Sequence, residues 1–234
     1  MRIGSNVELL PVAVNRPQVN MVLNMVLTWD EHNLVLIDTG LPGQVQDIAK
    51  AIADAGFDAK SLTHIIITHQ DLDHIGCALD LQKIAPNVKI LAHYEEAPYI
   101  DGRKVPVKLA DMLEKYDNLS LEHKEQVNQS KKSYDERRIK IDQELKDKEL
   151  LPICGDIEVV HTPGHTPGHI SLYLHESHIM VCGDAANIDD GRVVSSNPVY
   201  TLDMELAERS FEKIKGYTMV GIVAYHGGYL AVND

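Results

Sequence analysis

The segment THQDLDHIG, residues 68–76, decides the fold prediction because it directly follows the apolar run Ile65–Ile67. Within six consecutive positions it holds two histidines and two aspartates: His69, Asp71, Asp73 and His74. Burying so many polar side chains at the end of a strand is unfavourable unless a bound ion offsets their desolvation. Imidazoles and carboxylates on the turn that leaves such a strand can converge on two cations. The segment therefore predicts half of a binuclear metal site.

The other half of the predicted site is spread over the later part of the chain. HTPGHTPGH, residues 161–169, follows the strand-like IEVV, VCGD ends at Asp184, and AYHGG contains His226. Each candidate ligand comes just after a short apolar run rich in β-formers. Strands that end at one edge of a sheet would bring these side chains together. A single histidine carries little weight here, whereas the combined spacing is specific.

These motifs resemble those of the metallo-β-lactamase superfamily. The superfamily pattern is HxHxDH, then a distant His in a TPGHT setting, then an Asp that ends a GD strand, then a late His. The LIDTG segment, residues 36–40, fits the same plan. The resemblance implies a single α/β domain over residues 1–234, folded as a four-layer αββα sandwich. Periodicity alone would indicate only a mixture of helices and strands.

The resemblance also implies roles for individual residues. The first of two divalent ions would be held by His69, His165 and Asp184. The second ion would be held by Asp73, His74, Asp184 and His226. Asp184 would bridge the two ions, and Asp38 would fix the orientation of the ligand loop without touching the metal.

One position departs from the family pattern, because Asp71 stands where the second His of HxHxDH is usual. We expect Asp71 still to be a metal ligand, since it offers an oxygen donor at the correct step of the turn. This harder, anionic donor should weaken the Lewis acidity of the ions and shift the metal preference from zinc toward manganese or iron. Zinc remains the first expectation. A carboxylate here also resembles the flavodiiron proteins, which have Glu in this place.

The reaction that the resemblance implies is metal-assisted hydrolysis. Two ions roughly 3.5–4 Å apart would hold a bridging hydroxide, because metal binding lowers the pKa of water from about 15.7 toward about 7. Asp73, besides binding metal, is the expected catalytic residue that passes a proton to the leaving group. The expected substrate is a small ester, lactone, thioester or phosphodiester. One alternative is a non-haem di-iron redox enzyme of the flavodiiron type, and another is a metal-binding module without catalysis.

Composition restricts the partners. The formal net charge of −13 argues against nucleic acid, because binding phosphates needs a basic stripe. It also favours a neutral small-molecule substrate over a strongly anionic one. No apolar run approaches the ~20 residues that cross a bilayer, and no secretory signal is visible, so no membrane partner is expected. The three cysteines, Cys77, Cys154 and Cys182, show no pairing pattern. Their spacing predicts a reducing, cytoplasmic location.

The chain predicts strands in its first forty residues and a helix over 43–56, where Val45, Ile48 and Ile52 have helical spacing. Further strands are expected at 62–68, 157–162, 169–174, 178–183 and 219–224. Further helices are expected at 77–84 and 202–215.

Residues from 95 to about 150 differ in composition from the rest of the chain, because their second part is rich in helix-forming residues and in charges of both signs. This composition predicts a helical insertion. Val127, Tyr134 and Ile141 recur every seven residues, with Leu145 one turn further, so one narrow apolar stripe is present. One interpretation is a solvated helical hairpin laid against the body. The other is a lid over the metal cleft or the contact of a homodimer.

Several residues near the motifs have simpler structural interpretations. His161 and His169 flank His165, and we expect both to form hydrogen bonds within their loop rather than to bind metal. Cys182, two residues before Asp184, is expected to be a buried core residue.

Overall fold

The computed structural model describes residues 1–16 and 19–232. The first sheet contains β1 (Arg2–Gly4), β2 (Val7–Arg16), β3 (Val19–Trp29), β4 (Leu34–Ile37), β5 (His64–Ile67), β6 (Lys89–His93) and β7 (Gln143–Leu145). These seven strands lie side by side in chain order. The second sheet contains β8 (Leu150–Leu151), β9 (Ile157–His161), β10 (Ile170–Leu174), β11 (Ile179–Val181), β14 (Gly221–Ala224) and β15 (Gly228–Ala231). Its spatial order is β15-β14-β11-β10-β9-β8, and a separate hairpin is formed by β12 (Ala186–Asp189) and β13 (Arg192–Ser195).

The helices of the described residues connect these strands. They are α1 (Val45–Asp54), α2 (Leu72–Ile75), α3 (Ala78–Ile84), α4 (Ala97–Ile100), α5 (Val107–Glu114), α6 (Leu121–Glu136) and α7 (Met204–Lys215). α7 begins after Asp203, whose side chain accepts a hydrogen bond from the Leu206 amide and so caps the helix. None of the described helices has both the length and the hydropathy that crossing a bilayer requires.

The central strands are apolar on both faces because each face is covered. In β4, Leu36 packs in one apolar cluster with Ile48 and Ile52 of α1. Its neighbour Ile37 lies in a second cluster that includes Leu172 of the other sheet. Successive side chains of a strand point to opposite faces, so a strand buried on both sides reads as a continuous apolar run.

The outer face of the second sheet is covered by α7, where Ile214 packs with Met180 and Ile222. The layers are therefore helix, sheet, sheet and helix. This arrangement confirms the predicted αββα sandwich. The predicted elements of the body are also confirmed, with boundaries that shift by a few residues.

Parallel pairing directs several loops to one edge. β4, β5 and β6 are parallel neighbours in the first sheet, and β11 and β14 are parallel neighbours in the second. The C-terminal ends of the parallel strands in each sheet therefore lie at the same edge of that sheet. The residues that follow these ends include Asp38, His69, Asp184 and His226.

The insertion is helical only in part. α6 ends at Glu136, and the expectation that the helical stripe continues to Leu145 is wrong. Leu145 belongs to β7, which pairs in parallel with β6, and its side chain is fully buried between the sheets. A strand partner and burial outweigh the helix-forming composition of this stretch. β15 was also not predicted; it pairs with β14 in an antiparallel arrangement.

Candidate metal centre

All the predicted ligands meet at the common edge of the two sheets. His69 comes two residues after the end of β5, whereas Asp73 and His74 lie in the short helix α2. His165 comes from the loop between β9 and β10. Asp184 and His226 follow β11 and β14. Residues far apart in sequence thus become neighbours because their strands end side by side.

His69, Asp71 and His165 form what we call the first ligand group. Their nitrogen and oxygen atoms lie within 4.8 Å of one another. Oδ2 of Asp71 is 3.3 Å from Nε2 of His69 and 3.2 Å from Nε2 of His165. Asp71 therefore occupies the position that its place in the motif predicts, with a carboxylate in place of an imidazole.

Asp73, His74 and His226 form the second ligand group. Oδ2 of Asp73 is 3.3 Å from Nε2 of His226 and 3.7 Å from Nε2 of His74. The three donor atoms again lie within 4.8 Å of one another. This geometry brings together the residues that the sequence assigns to the second ion.

Asp184 lies between the two groups. Its Oδ2 is 3.5 Å from Nε2 of His165 and 3.4 Å from Nε2 of His226. Its Oδ1 is 3.4 Å from Nε2 of His74. One carboxylate therefore faces ligands of both groups, as a bridging ligand must.

The donor atoms fit a bound cation. Within the described residues, four buried ligand atoms have no hydrogen-bond partner: Nε2 of His69, Oδ1 of Asp71, Nε2 of His74 and Oδ1 of Asp184. Buried polar atoms are almost always paired in folded proteins, because an unpaired one carries its full desolvation cost. A divalent ion would satisfy these atoms together, and imidazole with carboxylate is a donor set that zinc, manganese and iron accept.

The charges of the site also suit a cation. Burial alone would raise the pKa of Asp184, but the charge of His74 and the hydrogen bond from His226 hold it well below its usual range. Burial, followed by the proximity of His74, lowers the pKa of His69 to about 4. Burial opposes the charging of His226, yet Asp184 and Asp73 raise its pKa to about 9. Asp184 is therefore ionised at neutral pH and His69 offers a neutral imidazole, whereas His226 must give up a proton to bind a cation.

Asp38 supports the second ligand group from behind. Its Oδ2 is 2.9 Å from Nδ1 of His74, and its Oδ1 accepts a hydrogen bond of 2.9 Å from the Thr68 amide. The backbone of Asp38 has φ of 63°, a left-handed conformation that Asp tolerates better than most residues. Because Nδ1 of His74 is engaged, its Nε2 is left to face the ligand group. Asp38 thus lies where the sequence places it, behind the ligands.

Two further supports of the site were not identified from the sequence. The hydroxyl of Tyr225 donates to the carbonyl of Asp73 at 2.5 Å, and its ring lies 3.9 Å from the His74 ring. Nε2 of His169 accepts a hydrogen bond of 3.0 Å from the Asp184 amide. His169 also contacts Oγ1 of Thr162 within its own loop, as expected. Its position in the repeated TPGH motif was the available signal for this role.

The other residues with simpler interpretations behave as expected. Nε2 of His161 lies 3.1 Å from the carbonyl of Pro167, inside the same loop. Cys182 is fully buried in the cluster under α7. The contact of His161 within its loop and the burial of Cys182 are therefore as predicted.

The insertion borders a cavity of about 520 Å³ above the ligands. Leu109 and Met112 of α5 and Tyr134 of α6 form part of its apolar wall. Met21 and Leu72 contribute from the body of the protein. This position favours the interpretation of the insertion as a cover over the metal cleft.

Lys108, at the start of α5, reaches the first ligand group. Its ammonium contacts Oδ2 of Asp71 and lies 3.0 Å from Nε2 of His165. Nothing in the local sequence around Lys108 predicts this contact. The one available signal was Asp71 itself, an extra buried carboxylate that a cation would stabilise.

A buried carboxylate ties the insertion to the ligand loops. Oε2 of Glu96 accepts a hydrogen bond of 3.0 Å from the backbone N–H of Gln70 and one of 2.9 Å from the side-chain Nε2 of Gln70. Oε1 of Glu96 accepts from the Gly168 amide at 2.8 Å. Oε1 of Gln70 in turn accepts from the Val107 amide at 2.7 Å. The loop of Asp71, the loop of His165 and the first turn of α5 are thus joined.

Comparisons of the sequence and of the structure with known proteins agree on the family of this chain. The family model described as the metallo-beta-lactamase superfamily matches residues 20–218. The chain is 28% identical over 229 residues to the probable metallo-hydrolase YflN of Bacillus subtilis, covering 90% of this chain and 81% of that protein. It is 27% identical over 187 residues to the hydroxyacylglutathione hydrolase GloC of Haemophilus influenzae, covering 76% and 71%. A metallo-beta-lactamase family protein of Thermus thermophilus superposes with a TM-score of 0.74 at 22% identity, over 97% of this chain and 75% of that one.

Proposed function

Because the chain belongs to the metallo-β-lactamase superfamily, we propose that it is a metal-dependent hydrolase that binds two divalent ions at the common edge of its sheets. The observation that carries this proposal is the pair of ligand groups that share Asp184 and contain buried donor atoms without partners. A site without an ion would leave those atoms unsatisfied at a cost that folding rarely tolerates.

Each ion would have its own set of ligands. The first would be held by His69, Asp71, His165 and Asp184, and the second by Asp73, His74, Asp184 and His226. Bound divalent ions polarise a carbonyl or phosphoryl oxygen and lower the pKa of water enough for it to attack at neutral pH.

Asp73 is the residue that we propose to move a proton. Its side chain is partly exposed and lines the cavity above the ligands, so a substrate there would meet it directly. Burial would raise the pKa of Asp73, but the charge of His74 and a hydrogen bond from His226 lower it. Asp73 is therefore ionised at neutral pH, and its carboxylate would accept a proton from the attacking water and pass it to the leaving group.

The cavity favours a small substrate with an apolar part. Its wall is largely apolar, and Asn187, Asn197 and Tyr200 add polar groups. The net charge of −13 disfavours nucleic acid and strongly anionic substrates. We propose hydrolysis of a small ester, lactone, thioester or phosphodiester. The similarity to a protein named hydroxyacylglutathione hydrolase supports the thioester among these.

The metal, the location and the assembly complete the proposal. Zinc is the first expectation, and Asp71 brings manganese and iron into consideration as a harder donor. The three cysteines are unpaired and buried, as is usual in a reducing cytoplasm. A homodimer through the insertion stays a prediction, and the molar mass of the protein in solution would test it.

A second function is favoured by one observation. A carboxylate in the first ligand group suits iron, and a di-iron redox enzyme of the flavodiiron type would use it. Stoichiometric iron, visible colour and oxygen consumption would support this alternative. Zinc or manganese with hydrolytic activity would reject it.

The proposed function is tested on protein purified without chelator. Its zinc, manganese and iron contents are measured first, and it is then assayed on esters, lactones, thioesters and phosphodiesters. We expect stoichiometric metal and hydrolysis that is lost on chelation and restored by the metal found. Protein with no stoichiometric transition metal would contradict the proposal.

A further inference from the structure

Lys108 places a positive charge where the first ion would be bound. Its ammonium contacts Oδ2 of Asp71, the same oxygen that faces His69 and His165. It is also 3.0 Å from Nε2 of His165. The side chain is only 21% exposed, so the ammonium is held among the ligands rather than in solvent.

The position of Lys108 is fixed by its neighbours. The preceding residue, Val107, donates its amide to the side chain of Gln70, which stands between His69 and Asp71 in the motif. The following residue, Leu109, is buried on the same helix. Lys108 therefore lies between an anchored helix start and a buried leucine, and its position does not depend on the ion pair alone.

Within the described residues, the second ligand group faces no cationic side chain apart from its own histidines, which are themselves ligands. Within the part of the chain that the structure describes, the ion pairs of Asp73 and Asp184 involve histidines, and no lysine or arginine reaches them. The two groups therefore differ in one respect that bears directly on cation binding. A lysine ammonium is a compact point charge, and it repels a divalent ion strongly at this distance.

We propose that Lys108 is an internal cation that competes with metal for the first ligand group. The second group then fills first, and the first group takes up an ion only when the ammonium of Lys108 leaves Asp71. This inference rests on the proposed function, because it assumes that both groups bind metal.

The experiment measures metal affinity and does not depend on activity. Metal-free protein is titrated with Co²⁺ and with Zn²⁺ against a competing chelator, and bound metal is counted by elemental analysis. The wild type is compared with Lys108→Met, which removes the charge and keeps an unbranched side chain. The matched control is Lys115→Met, at the exposed end of the same helix, where the lysine pairs with Asp111.

For the wild type and for Lys115→Met we expect one tight ion and a second ion bound at least about tenfold more weakly. In Lys108→Met the weaker event should tighten by about tenfold or more, while the tight event stays unchanged. Lys108→Gln should behave in the same way, and it replaces Lys108→Met if circular dichroism shows that the latter is not folded.

Other outcomes overturn the inference in distinguishable ways. Two equally tight ions in the wild type, or no change in either Lys108 variant, would show that Lys108 does not compete, and the proposed function would stand. No ion bound by the wild type would reject the proposed function and the inference together.

Discussion

The two ligand groups share Asp184 but have different surroundings. The second group lies against the body of the sandwich, where Asp38 and Tyr225 hold His74 and the backbone of Asp73. The first group faces the insertion, and a side chain of α5 reaches into it. The second group is thus supported by buried strands, whereas the first is also shaped by a segment inserted into the fold. The first group is therefore the half of the site that changes in the insertion can adjust.

The largest effect is expected for the residue that the groups share. Asp184→Ala should remove ions from both groups and lower activity by more than about a hundredfold. Replacing a residue that only supports a metal ligand already costs about 10–100-fold in metal affinity or activity, and losing the ligand itself should cost more. Metal content and initial rates measure this. Asp111→Ala, an exposed carboxylate of α5, is the control. If the Asp184→Ala protein still bound two ions, Asp184 would not be a ligand shared by the two groups, and the comparison between them would lose its basis.

A smaller and unequal effect is expected at Asp38. Asp38→Asn should weaken the orientation of His74 and lower metal affinity at the second group by about 10–100-fold. The loss at the first group should be smaller, because Asp38 reaches His69 only through the hydroxyl of Thr68. Chelator competition distinguishes the two binding events. Asp142→Asn is a suitable control, because Asp142 also accepts a backbone hydrogen bond, from Ile90, away from the ligands. Equal weakening of both events would mean that the groups are not separately supported.

The smallest effect is expected at Asp71. Asp71→His restores the family pattern and should shift metal preference toward zinc by a few-fold, because a neutral imidazole replaces a hard anion. Metal content after growth with zinc, manganese and iron together measures the shift. Asp71→Asn removes the charge without adding an imidazole, so it separates charge from donor type. An unchanged metal ratio in Asp71→His would show that this position does not set the preference.

The sequence was most informative where short motifs follow buried strands. His69 and Asp184 could be placed because each comes after an apolar run whose end lies at a sheet edge. Asp38 could be assigned its supporting role from the family resemblance. These residues are close in space because parallel neighbouring strands end together, which is a general property of such sheets.

Contacts made by the insertion could not be predicted in the same way. Lys108 lies 37 residues from Asp71 in the chain, and its helix has the spacing of any partly exposed helix. β7 has only three residues, too few to show a strand period against the helix-forming residues around it. In both cases a tertiary partner decides the outcome, and local sequence carries little information about that partner.

Glu96 has a practical consequence for redesign of this protein. It joins Gln70 and Gly168, and through Gln70 it also holds Val107, so a shift of α5 is transmitted to the loops that carry Asp71 and His165. We therefore expect that variants made in the insertion to accept new substrates will also differ in their affinity for metal. Selection for new specificity should be carried out at several metal concentrations, so that useful variants are not discarded for incomplete loading.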